Sequence, residues 1–314
     1  MDRPVDHAID RVEALRADIA RGPAAMGALL DEYLGSAGLL EAVEAAILRD
    51  PRVAFVGLGS SLYASMDAAF ALRAGGVPAW SEYASAEGAP PSKDLVLVAV
   101  SASGRTPQVV EVAQRHRGTS LVIGVTNMPG SPLAAACDIV LPLFAGMERA
   151  GISTLTYRAT VVVLGLLTGR FGLSVDLDGL RRAVDVGDVA SDAISAAADQ
   201  LDGAPSIDVI GPASRLGAVS QAALMLREAP RLPAHAFETV DWLHTAVYLA
   251  LPGHRALLFT GSPADTEVIE TIRRRGGEVV VLDEDAITAS SMVDRLALEL
   301  WRRVSEAVAV DRPG

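Results

Sequence analysis

Two short stretches of this chain concentrate hydroxyls and glycines. Gly57-Leu58-Gly59-Ser60-Ser61 follows a compact apolar run and precedes an alanine-rich segment. Ser101-Ala102-Ser103-Gly104-Arg105-Thr106 follows the run LVLVAV and precedes a second helix-forming segment. Both lie where a strand hands over to a helix. Glycine lets a backbone approach a ligand closely, and the first turn of a helix leaves its amides unpaired at the positive end of the dipole. Three hydroxyls and a glycine within six residues suit a dianionic phosphate monoester. For the first loop a plain turn with a serine cap is an equal reading. For the second, a capping box would use one hydroxyl and leave the others unexplained. Neither GxxxxGK[ST] nor GxGxxG occurs, so nucleotide triphosphate chemistry has no support.

Other reactive side chains are few. Glu228 lies late in an apolar helical stretch, LMLREAP, where a surface ion pair competes with the role of a general base. A carboxylate in a closed, partly apolar pocket has its pKa raised toward neutrality, which suits proton transfer. His244 follows Trp242 and Leu243 and reads either as a catalyst or as a satisfied, partly buried side chain. Lys93 is the sole lysine, so any amine-based mechanism has one candidate. Arg105 either adds charge to the second loop or points to solvent, and Glu148 either orders the stretch before Ser153 or caps a helix. Cys137 is the single cysteine, which rules out an intrachain disulfide and a zinc ribbon and leaves it as a small packing residue. No HExxH spacing appears, and neither a metal nor a cofactor is expected.

The elements that must position these residues follow from composition and periodicity. The 314 residues are half hydrophobic and 21% charged, with aromatics at only 4%, so the chain is globular and built mainly from Ala, Val and Leu. The formal net charge of -12 argues against a nucleic-acid partner. No apolar run approaches the ~20 residues that span a bilayer, and the start, MDRPVDHAID, has no signal segment. A cytoplasmic protein without a membrane partner is expected.

Residues 6–34 have helical periodicity interrupted at Gly22-Pro23, and a short helix spans 39–48. Strands are expected at 52–57, 95–100, 120–126 and 138–141, with helices at 61–74, 106–116 and 153–167. After a polar helical linker at 172–201 the pattern repeats, with strands at 206–211, 255–260 and 278–282 and helices at 216–229, 265–275 and 292–309. Continuous apolar strands alternating with helices imply parallel sheets covered on both faces. The expected fold is α/β: two tandem doubly wound, flavodoxin-like domains at 36–175 and 190–314, after an N-terminal helical segment at 1–35. Ligands in such folds sit beyond the carboxyl ends of the strands, where the hydroxyl loops fall.

Strand-GxGSS-helix followed ~40 residues later by strand-SxSGxT-helix resembles the sugar isomerase (SIS) phosphosugar-binding domain. RADIARGP at 16–23, TNMPGS at 126–131 and ERAGIST at 148–154 resemble stretches of the isomerase half of glucosamine-6-phosphate synthase. QAALMLREA at 221–229 and VDWLH at 240–244 resemble its duplicated second domain more loosely. The resemblance implies that Ser60, Ser61, Ser101, Ser103, Gly104 and Thr106 bind the phosphate and that Ser153 faces the sugar. It also implies that Glu228 moves a proton between C1 and C2, that His244 assists ring opening, and that the protein is a homodimer. The chain departs from that pattern at Met225, where the synthase has a lysine, at Ala102, where it has a glutamine, and at Arg105, where it has a glutamate. The tail WRRVSEAVAVDRPG lacks the lysine that forms a Schiff base in the synthase, and no glutaminase domain is expected.

The expected function is aldose-ketose isomerisation of a sugar phosphate in amino-sugar metabolism, with coupling to amination left open. An amino-sugar-phosphate deaminase or deglycase is the alternative within the same class. A non-catalytic phosphosugar sensor is the rival from another class, and it would need the serine loop but no base. Light scattering at micromolar concentration should find a particle of twice the 32.7 kDa chain mass. A particle of the chain mass would refute the homodimer, because an obligate dimer does not dissociate at that concentration.

Overall fold

The computed structural model describes residues 4–35, 38–47, 50–184 and 191–310. In chain order the elements begin α1 (Pro4–Gly35), α2 (Gly38–Ala46), β1 (Arg52–Gly57), α3 (Ser60–Ala74), β2 (Ala79–Tyr83), β3 (Leu95–Val100) and α4 (Pro107–His116). They continue with β4 (Leu121–Thr126), α5 (Pro132–Ala136), β5 (Ile139–Pro142), α6 (Leu155–Thr168), α7 (Leu177–Val184) and α8 (Ser191–Leu201). The last group is β6 (Ile207–Gly211), α9 (Leu216–Glu228), β7 (Ala234–Glu238), α10 (Thr239–Thr245), β8 (Arg255–Phe259), α11 (Asp265–Arg274), β9 (Glu278–Leu282) and α12 (Ala286–Val310). The chain forms two compact units. The first comprises Pro23–Met147 and Leu155–Asp185; the second comprises Met1–Gly22, Glu148–Thr154 and Val186–Gly314.

The first unit holds a five-stranded parallel sheet of order β2-β1-β3-β4-β5. Every residue of β3 is buried, as its unbroken apolar run requires of a strand covered on both faces. Val56, Leu97, Ala99, Val112 and Leu133 pack into one of its cores. The sequence order reverses between β1 and β3, which lie side by side with Val56 paired to Ala99. A doubly wound sheet opens its crevice at such a point, because successive helices leave to opposite faces.

The second unit repeats the plan with four parallel strands of order β7-β6-β8-β9. Alternation along the strands divides its core in two. Ile207, Val209, Leu257 and Phe259 pack on one face with α9 and α12, whereas Ile210, Ala256 and Leu258 pack on the other with Trp242 and Val268. Both sheets are therefore the parallel, helix-covered sheets that the sequence implied.

Several local features differ from the sequence expectation, among them the short helix α5 and the earlier start of α12 at Ala286. Strands β2 (AWSEY) and β7 (AHAFE) escape a search for apolar runs because both are edge strands with half-exposed, mixed-polarity residues. Seven-residue α10 was not expected as a helix at all; Glu238 caps it by accepting from the amides of Val240 and Asp241 at 2.8 Å each. Helix α1 runs through Pro23 rather than stopping at Gly22-Pro23. A proline removes one backbone donor from a helix, and the bonds on either side can persist. Within the polar linker expected at 172–201, residues 185–190 lie outside the described residues, as does Leu48 at the end of the second expected helix.

One buried polar group sits in the second core. Asp208 on β6 accepts a hydrogen bond from the Trp242 indole (2.8 Å), and the His254 ring lies 3.4 Å from the same carboxylate oxygen. Burial, opposed by Asp208 and reinforced by Arg255, holds the His254 pKa below its ordinary value. The unfolded chain therefore binds a proton at this residue more readily than the folded one. Its contribution to stability is complete above the unfolded value of about 6.5 and is lost as pH falls. Chemical denaturation at stepped pH should show stability declining below about 6.5, and His254→Gln should flatten that decline. An unchanged pH slope in the variant would remove His254 as the cause.

Candidate functional site

The loops that follow β1 and β3 are neighbours because their strands are paired at the switch point. Gly57 ends β1, and a Cβ there would lie 2.9 Å from the Leu62 amide nitrogen, so only glycine admits so close an approach of α3. Gly59 has a φ of 55° and offers α3 no capping side chain, which leaves the first-turn amides beside Ser60 and Ser61 open. Both serines are half-buried.

The second loop turns at Gly104, whose φ is +60° and whose Cβ, if present, would sit 2.8 Å from Thr126 Oγ1. Two of its carbonyls are tied to the neighbouring segment. Ala102 accepts from the Asn127 amide at 3.0 Å and from the Thr126 hydroxyl at 3.2 Å, and Gly104 accepts from the Leu133 amide at 3.0 Å. Ser101 Oγ and Thr106 Oγ1 are 3.0 Å apart, and Ser103 Oγ accepts from the Arg105 amide at 3.2 Å. Thr106 stands at the N-cap of α4, yet its hydroxyl caps nothing there. The amides of Ala102, Ser103 and Thr106 meet no acceptor among the described residues. The loop is thus a set of fixed, unpaired donors at a helix N-terminus, the arrangement that binds phosphate. Arg105 is exposed at its rim.

Asn127 was legible only as part of a motif. Its side chain donates to Gly146 O at 2.7 Å and accepts from the Ala145 amide at 3.0 Å, which ties the turn after β5 to the segment that braces the loop.

Ser153 and Glu228 belong to the second unit, where the segment 148–154 is anchored from three sides. Asp18 on α1 is fully buried and accepts from the amides of Arg149 (2.7 Å) and Ala150 (2.9 Å) while pairing with Arg21 at 2.6 Å. Glu148 Oε1 accepts from the Thr154 amide at 2.5 Å, so Glu148 orders the segment. Gln221 on α9 donates to the Ser153 carbonyl at 3.1 Å. Glu228 ends α9. It keeps contact with solvent, yet the packed atoms around its carboxyl desolvate it and raise its pKa; Glu148 adds to the rise, and Arg227 and Arg11 oppose it. Asp18 and Gln221 were not picked out from sequence because their partners lie 131 and 68 residues away.

His244 lies on α10, where Trp242 points into the core and His244, two residues on and roughly 200° around the helix, is exposed. Neither the Glu228 nor the His244 side chain hydrogen-bonds to a described residue. Lys93 precedes β3, and the six residues of that strand separate it from Ser101 by about 20 Å. There it lines a cavity of about 340 Å³ with Asp94, Ser120 and Asp138, at the amino ends of the strands. Cys137 packs against Gly124, and burial, aided by Asp138, pushes its thiol up to about 12, so it is no nucleophile at neutral pH. Among the described residues no three His, Cys, Asp or Glu side chains group as metal ligands, and no helix is long and apolar enough to cross a membrane.

Residues 46–169 match the SIS domain. A glutamine-fructose-6-phosphate aminotransferase (isomerizing) of Aeropyrum pernix is 31% identical over 210 residues, 60% of this chain and 33% of that protein. The chain spans less than half the length of such relatives. Among solved structures, the C-terminal domain of glucosamine-fructose-6-phosphate aminotransferase from Francisella tularensis is 15% identical, with a TM-score of 0.76 over 93% of this chain and 96% of that one. Glucosamine-6-phosphate deaminase from Thermotoga maritima is likewise 15% identical, with a TM-score of 0.75 over 92% and 94%. These two share the fold. The stretch that bears both hydroxyl loops belongs to the SIS domain family.

Proposed function

We propose that this protein is an enzyme that isomerises a sugar phosphate between aldose and ketose in amino-sugar metabolism. The observation that carries the reading is the loop Ser101–Thr106, with three open amides, three hydroxyls and the carbonyls of Ala102 and Gly104 paired to the segment behind it. Its charge preference is for a dianion. The relatives that share this domain act, by name, on fructose 6-phosphate. Ser60 and Ser61 add donors from the neighbouring loop, and Ser153 faces the sugar.

In this reading Glu228 is the base. Its carboxylate takes the proton from C2 of the open-chain aldose, the C2–H electrons form the C1–C2 double bond of an enediolate as the C1 carbonyl electrons move to O1, the O2 hydroxyl proton passes to O1, and the carboxyl returns its proton to C1 as O2 becomes the carbonyl of the ketose. A carboxylate whose pKa is raised above its ordinary value takes a proton from carbon more readily than a free one. His244 assists ring opening. No Schiff base forms, because Lys93 lies at the amino end of β3. A deaminase reading is favoured by one feature: Met225 and the tail supply no amine to carry nitrogen, which costs nothing if the substrate already bears it.

Proton exchange at C2 of sugar phosphates in deuterated water tests catalysis, and its absence across a panel would make the protein a sensor. Ser103→Ala should weaken sugar phosphate binding by about 1–3 kcal/mol, and unchanged calorimetric affinity in the folded variant would refute the phosphate loop. Glu228→Gln keeps the shape and removes the base, so exchange should fall by roughly 10²–10⁴-fold. The wild-type rate should decline as pH falls through the raised value of Glu228, and the variant should lose that limb. Near-wild-type turnover by the variant would remove Glu228 from the mechanism, and borohydride trapping of substrate on Lys93 would overturn the lysine-free route.

A further inference from the structure

The two sheets end in loops of equal length that share two hydrogen-bond positions, although Pro263 stands where the first loop has Gly104. In its sheet β8 holds the place that β3 holds in its own. Past β3, the Ser101 amide donates to Val125 and the Arg105 amide to Ser103 Oγ. Past β8, the Thr260 amide donates to Leu282 and the Ala264 amide to Ser262 Oγ. Thr260–Asp265 therefore corresponds to Ser101–Thr106, with Gly261 and Ser262 at the places of Ala102 and Ser103, and Asp265 at the place of Thr106.

The correspondence fails at the donors. The amides of Ala102 and Ser103 are open, whereas those of Gly261 and Ser262 donate to Asp265 Oδ2 at 2.7 and 3.0 Å. The Thr260 hydroxyl is spent on Asp283. The Arg215 guanidinium, which reaches across from the end of β6, is spent on the carbonyls of Thr260 and Glu284. The Ser262 hydroxyl, like that of Ser103, accepts from an amide and is not spent as a donor, so the two loops differ in their amides and in the hydroxyl that opens each loop.

We propose that the Asp265 carboxylate is a built-in anion that fills the second loop, so that the residue at the Thr106/Asp265 position decides whether a loop is open to phosphate and each chain takes one. The proposal rests on the reading of Ser101–Thr106 as a phosphate loop. A tethered carboxylate at hydrogen-bond distance competes intramolecularly, at an effective concentration that free phosphate does not reach. A second anion would also meet its charge at contact distance. Thr106 leaves its loop open because its hydroxyl turns to Ser101 instead.

Inorganic phosphate titrated onto the full chain, followed by calorimetry, tests this. The wild type should take one phosphate per chain, Asp265→Thr should gain a second, and Thr106→Asp should weaken the first by about 100-fold or more, the loss expected when two charge-assisted bonds go. Thr106→Asn, which offers the same amides a neutral oxygen, should also weaken it and so separates occupation of the amides from charge repulsion. A folded Asp265→Thr chain with no more sites than the wild type overturns the proposal, as does a wild type that takes two. If Asp265→Thr does not fold, unchanged affinity in folded Thr106→Asp overturns it. A wild type that binds none, with one site gained in Asp265→Thr, would leave the role of Asp265 standing and refute the phosphate reading of Ser101–Thr106.

Discussion

Open backbone amides past β3 are the feature around which the first unit is arranged. Amides that face solvent stay paired with water until an anion arrives, so their orientation has to be held by other contacts. Here the holding is done from behind. The turn between β4 and α5 donates to the carbonyls of Ala102 and Gly104 and fixes which way the peptide planes face. Gly104 is needed for the same reason, since a side chain there would collide with Ser131 and Thr126 and push the turn away. An anion then finds its donors already oriented, and its binding free energy is not spent on ordering the loop.

In the second unit several carboxylates hold the backbone. Asp18, Glu148, Glu238 and Asp265 each accept from backbone amides. An ionised acceptor makes shorter and stronger bonds than a neutral one, so these side chains fix otherwise irregular backbone. Three of them hold segments that bear residues of the functional reading: Asp18 and Glu148 hold the stretch containing Ser153, and Glu238 starts the helix of His244. Burial raises the proton affinity of Glu228; Arg227 and Arg11 oppose the rise and Glu148 adds to it.

Duplication gives the two units the same crevice and different chemistry. The fold fixes where strand order reverses, and so where helix N-termini gather, without fixing what the loops do there. A change at one loop position from threonine to aspartate converts a set of donors into a closed, self-satisfied turn. The near absence of lysine has a comparable effect on the reaction, because arginine stays protonated and forms no imine under ordinary conditions.

The sequence by itself determined the parallel, helix-covered sheets, since runs such as LVLVAV have no polar face and tolerate no solvent side. It also determined the hydroxyl loops, because their residue types and their place between strand and helix are local properties. The tertiary structure alone decided the edge strands, which are stabilised by pairing with β1 and β6 rather than by their own apolar content. It alone revealed Asp18 and Gln221 as anchors and Asp265 as an occupant of its loop. Each of these side chains reads as an ordinary surface residue until its partner is known. For Asp18 that partner lies 131 residues away, and for Asp265 the contact depends on how a turn folds back on its own amides. Hydrophobic pattern is written in neighbouring residues, whereas a hydrogen bond is specified only by the positions that the fold gives to its two ends.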